Sequence, residues 1–146
     1  MAGGAAEAQS VVWQGKTMLE RVSTACISHP DIQRRVLKGS LYRSVFRPAN
    51  LQAGNGPDHR LMMINLRTAS TIRLTNATLP NGSYTGQQIN SLGRTFGISG
   101  TYSNVVIVPA NITTNTPTVA IAGIIDNFVG ISGCTVNFRS ALTRRP

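Results

Sequence analysis

The chain has 146 residues, 41% of them apolar and 13% charged, a composition that suits one globular domain with a core of its own. The charge is one-sided: 14 Lys and Arg stand against 5 Asp and Glu, for a formal net charge of +9, and twelve of the fourteen cations are Arg. No apolar run approaches the length of a membrane helix, and two Cys and two His so far apart form no metal pattern, so a helical span, a metal centre and a cofactor are not expected.

Residues 1–16 read as an N-terminal arm. The opening MAGGAAEAQ has no basic region followed by an apolar run, so it is not read as a signal peptide. Small residues of this kind order themselves only against a partner surface. Val11, Val12 and Trp13 make a short apolar knot before Thr17-Met-Leu-Glu20, which has the spacing of a helix capping box. Two short helices are therefore expected over 17–38. Met18, Leu19, Val22 and Cys26 form one stripe, Ser28 caps the second helix, and Gly39 ends it. Two helices with a tight joint invite a helix-turn-helix reading, but no third helix follows. Cys26 and Cys134 are expected as buried free thiols, because nothing in their spacing demands a bridge.

A β-rich body is expected over 41–139. In 41–47 the alternation puts Arg43, Val45 and Arg47 on one face and Tyr42, Ser44 and Phe46 on the other. Pro48 to Arg60 is a long loop containing the pair Asp58-His59. Leu61 to Leu79 is the most regular stretch, with Met62, Ile64, Leu66, Ile72 and Leu74 at even positions and Asn65, Arg67, Thr71, Arg73 and Thr75 among the odd ones. That period of two predicts a strand with one packed face, either continuous or folded back near Thr68 and Ser70. Pro80-Asn-Gly-Ser83 is a turn. Further strands follow at 105–108, 118–125 and 134–139. The tetrapeptide GISG occurs at 97–100 and 130–133, and PAN at 48–50 and 109–111, so paired corners are one reading of the body. Residues 140–146 read as a basic tail.

The predicted fold is all-β, a mainly antiparallel sandwich or jelly-roll-like body of about six to eight strands, with a short helical N-terminal segment, in a single domain. The carboxylates Glu7, Glu20, Asp31, Asp58 and Asp126 are too scattered for acid–base or two-metal chemistry, and FGISGTYS lacks the glycine order of a phosphate loop, so no enzyme is expected. The abundance of Arg, whose planar fork grips phosphate with two bonds, points to a polyanionic partner. The candidate contacts are Arg34, Arg35, Lys38, Arg43 and Arg47, with Arg144 and Arg145 as a second patch. Low charge combined with much Thr, Asn and Gly suits subunits covered by their neighbours. The expectation is a self-assembling virion subunit, such as a small coat protein, that packs with many copies of itself and contacts nucleic acid with little sequence preference. No membrane partner is expected. The alternatives are a cytoplasmic β-barrel module that binds RNA or DNA, and a protein-binding decoration or fibre subunit.

Overall fold

A computed structural model describes residues 11–51, 59–76 and 80–145. Eight strands follow one another: β1 (Val12–Val22), β2 (Leu41–Arg47), β3 (His59–Asn65), β4 (Ser70–Asn76), β5 (Gly82–Ile89), β6 (Thr95–Val108), β7 (Thr118–Asp126) and β8 (Val136–Arg145). Each pairs antiparallel with the next, and β8 returns to pair with β1 from Val12↔Arg145 to Val22↔Val136. The result is a closed up-and-down barrel. The expectation of antiparallel β structure holds, and the described strands close into one barrel rather than a sandwich or jelly roll.

The barrel is filled. Trp13, Leu19, Tyr42, Phe46, Met63, Ile72, Tyr84, Tyr102, Ile125 and Phe138 are buried, and burying a large apolar side chain contributes about 1.5–3 kcal/mol. Burial also pushes the Tyr84 phenol up to about 12. Three hydroxyls cross this interior where β8, β1 and β2 meet: Thr17 Oγ1 lies 2.6 Å from both Ser44 Oγ and Ser140 Oγ. Most large apolar side chains of the strands face in, while the described Arg residues of the strands are exposed.

The helical expectation for 17–38 is corrected. Thr17 and Glu20 lie in β1, where Trp13, Thr17 and Leu19 turn inward on a period of two. The Thr17 hydroxyl bonds side chains across the barrel rather than capping a helix. After Val22 comes a single helical turn, α1 (Thr24–Ile27), and a 3-10 turn at Ile32–Arg34. This connection folds over one end of the barrel and is fastened to the β7–β8 loop. Ser23 Oγ donates to the Gly133 carbonyl and accepts from the Thr135 amide, both at 2.9 Å. Cys26 and Cys134 are joined in a disulfide, which corrects the reading of two free thiols.

The stretch from 61 resolves into β3 and β4, and its phase is half corrected. Leu61 and Met63 face the core in β3, so Met62 and Ile64 lie outside, half-buried, and Leu66 is exposed. Ile72 and Leu74 point inward in β4 as expected. The turn between the strands shifts the parity. Asn65 Oδ1 accepts from the amides of Arg67 and Thr68, and Ala69 takes a left-handed φ of 52°. The two GISG segments are unlike: 97–100 lies within β6, whereas Gly130 and Gly133 hold positive φ in the loop before β8. Both PAN segments open connections at the other end of the barrel, where Ala49, Ala110 and Asn111 line one cleft.

Candidate nucleic-acid interface

β2 reads LYRSVFR, and its pleat divides as the alternation predicts. Tyr42, Ser44 and Phe46 are buried, while Arg43 and Arg47 are exposed. Antiparallel pairing then sets Lys16 of β1 directly beside Arg43, and Arg47 directly beside Arg60 of β3. Met62 lies between Val45 and Arg73, which brings Arg73 of β4 onto the same wall. Arg47, Arg60, Arg73, Val45 and Met62 line a shallow cleft of about 310 Å³.

The wall continues toward the C-terminus. Arg145 is opposite Val12, and the next residue of β1, Trp13, is opposite Phe46 of β2. The outward row at that end therefore runs Arg145, Val12, Arg47, Arg60. With strands about 4.8 Å apart, five strands from β8 to β4 span about 19 Å. Lys16, Arg43, Arg47, Arg60, Arg73 and Arg145 face outward from this width, and β2, β3 and β4 contain no acidic residue. Lys16 and Arg43, like charges set directly opposite on adjacent strands, repel, and an anion would relieve that repulsion.

The structure separates the other expected contacts. Arg34 is turned inward: its guanidinium lies 4.9 Å from the centre of the Phe96 ring, and Nη2 donates to the Val129 carbonyl at 3.3 Å. That placement ties the β1–β2 connection to β6 and the β7–β8 loop. Arg35 and Lys38 belong to the connection over the same end, where Arg35 Nε donates to the His29 carbonyl at 2.8 Å. Lys38 shares a cleft with Glu20 and Arg21. Arg144 reaches the opposite end and donates to the Thr114 carbonyl, fastening the β6–β7 connection, where Trp13 Nε1 also donates to the Thr116 carbonyl. Residues 140–145 are thus part of β8 rather than a tail. Of the expected cluster, Arg43, Arg47 and Arg145 share the wall.

Lys16, Arg60 and Arg73 are absent from the set expected from sequence. The alternation around Leu61 already puts Arg73 on the wet face, but only the register shows that it shares a surface with Arg43. Tyr42 and Phe46 are core residues that no base can stack on; Tyr42 meets Phe128 edge-on at 5.8 Å. Asp58 lies outside the described residues. His59 stacks on Phe46, and its Nδ1 accepts from the Ala49 amide at 3.1 Å, which is a fold contact. No family model matches the chain, and no match is found among curated proteins or solved structures.

Proposed function

We propose that this protein binds nucleic acid as a polyanion through the outer wall of β1–β4, extended by Arg145 of β8, with little preference for sequence. One observation carries the reading: Lys16 and Arg43, a cross-strand pair of like charge, share an outward wall with Arg60, Arg73 and Arg145. Guanidinium groups on a pleated wall meet phosphates, and no recognition helix or ribbon among the described residues is positioned to read base edges. Binding is therefore steep in salt and shallow in sequence.

The test is a titration of labelled oligonucleotides of equal length and different sequence at several salt concentrations. Arg43→Gln, Arg60→Gln and Arg73→Gln combined should reduce the slope of log K against log salt by about 0.7–0.9 for each phosphate that is no longer neutralised. Arg34→Gln should lower stability and leave that slope unchanged. Wild-type protein that fails to bind at low salt, or a triple variant that binds as well as wild type, overturns the reading.

A second reading, assembly of many copies into a virion shell, is favoured by a different feature. Val108, Ala120 and Ala141 are consecutive partners on the outer face of β6, β7 and β8, and Val106 lies opposite Ala122. The closed barrel leaves no strand edge for a neighbour to extend, and this strip of Val and Ala is one wall on which copies could meet. Light scattering over a wide concentration range separates a particle from a monomer.

A further inference from the structure

Eight of the ten large apolar side chains left exposed among the described residues gather at or beside one end of the barrel; only Val106 and Val108 lie toward the other. That end carries the β1–β2, β3–β4, β5–β6 and β7–β8 connections. Three of its tips repeat one arrangement. Ile32, Leu66 and Leu92 are 72%, 72% and 79% exposed, and each is followed within three residues by an Arg: Arg35, Arg67 and Arg94.

Two of these tips are built rigidly around an Asn. Asn65 Oδ1 holds the amides of Arg67 and Thr68, leaving Leu66 outside. Asn90 Oδ1 holds the amides of Leu92 and Arg94, each at 3.0 Å, with Gly93 at a φ of 77°. A turn already ordered loses little conformational freedom when its side chain enters a new environment. Ile32, Arg35, Leu37, Arg67 and Ile89 line one open cleft of about 540 Å³, so the first two tips and the end of β5 present a common surface.

The described carboxylates at this end are fewer than its cations. Glu20 pairs with Arg139 at 3.2 Å, Asp126 accepts from the Thr135 hydroxyl at 3.1 Å, and Asp31 is the third. Against them stand Arg21, Arg35, Lys38, Arg67 and Arg94, with Arg34 directed inward.

We infer that this end of the barrel seats on an anionic lipid surface, with Ile32, Leu66 and Leu92 entering the headgroup–acyl boundary and Arg35, Arg67 and Arg94 engaging lipid phosphates. Exposed aliphatic side chains with Arg close behind them match a surface that is apolar inside and phosphate-bearing at its face, as an anionic bilayer is. Exposed aliphatic tips offer a nucleic acid no ring to stack on. Apolar residues rimmed by cations are the pattern of a protein that lies on a membrane without spanning it. The inference is independent of the wall on β1–β4, which uses other residues.

The test is sedimentation of the full chain with vesicles of phosphatidylcholine alone and of three parts phosphatidylcholine to one part phosphatidylserine. Wild type should bind the anionic vesicles and leave the neutral ones. Leu66→Ser with Leu92→Ser should weaken that binding about tenfold or more, since both side chains lose their transfer out of water. The same variant should keep its melting temperature and its affinity for oligonucleotide. Arg67→Gln with Arg94→Gln should also weaken vesicle binding and flatten its salt dependence. Absence of vesicle binding at low salt overturns the inference, as does a Leu variant that binds as wild type does. Wild-type protein that self-associates through these leucines, shown by a smaller mass for the variant in light scattering, assigns the tips to a protein contact and likewise overturns it.

Discussion

Gly15 of β1 lies tight against the backbone of β8. A Cβ there would overlap the Ala141 carbonyl oxygen, and one on Gly86 would overlap that of Thr71. Both obstacles are backbone, which cannot swing aside as a side-chain end can. Glycine at these positions lets the strands bend sharply enough to coil into a barrel. Gly15→Ala is expected to cost about 3 kcal/mol or more, because relief requires displacing a paired strand. Urea denaturation of Gly15→Ala beside Gly39→Ala checks this. Gly39 has open space around it, so its substitution carries only the strain of a φ of 86°. Equal losses would place the cost in backbone conformation rather than in the closeness of β1 and β8. Thr17 shows the same dependence on neighbours. Its hydroxyl reads as a helix cap in isolation and becomes an interior bridge once Ser44 and Ser140 arrive from strands 27 and 123 residues away.

At the scale of elements, the connections divide into two kinds. The β3–β4 and β5–β6 turns are short and organised by their own Asn residues, so they hold their shape without help. The β1–β2 connection is long, contains only one turn of α-helix, and depends on what it is tied to: Ser23 against 133–135, Val36 to the Cys26 carbonyl at 3.0 Å, and the disulfide. A crosslink between residues 108 apart removes much of the freedom of the unfolded chain. Reduction, or Cys26→Ser with Cys134→Ser, is expected to lower stability by up to about 4–5 kcal/mol. Thermal melts with and without reductant, alongside thiol titration of the denatured chain, check this. Two titratable thiols before reduction would show that the bridge does not form in solution. The same connection carries Arg34 against Phe96 at the barrel end, which parts it from Arg43 and Arg47, its neighbours in the basic run of the sequence.

At the scale of the molecule, closure decides what the surface can do. An eight-stranded barrel has no free edge, so recognition falls to its walls and its ends. One wall collects cations from five strands, and a formal net charge of +9 on a compact body repels itself. Melting temperature is therefore expected to rise with ionic strength, by about 2–4 °C for each kcal/mol of repulsion relieved. Lys16→Gln, which removes one side of the Lys16–Arg43 pair, should reduce that rise. A melting temperature flat in salt would mean that the like-charged neighbours are already compensated within the chain.

Much of this protein was legible in its residues alone. The alternation in 41–47 and 72–74 assigns inward and outward faces because a strand's period of two is a local property of the backbone. The turn chemistry of Asn, Gly and Pro marks where strands stop, and the scarcity of carboxylates predicts a basic surface wherever the Arg residues fall. What the sequence could not supply were the relations between distant segments. The phase of β3 depends on a turn at 66–69 that reverses the parity inferred from Met62, Ile64 and Leu66. The capping-box spacing at Thr17 is outweighed by β1 pairing with β2 and β8. Whether Arg34 faces solvent, whether Arg60 and Arg73 stand beside Arg47, and whether Cys26 meets Cys134 all follow from which strands are neighbours. The Arg rows were decided by the registers of β2, β3 and β4, and the meeting of Cys26 with Cys134 by the closing of the barrel, because pairing between distant residues leaves no mark on either one's local pattern.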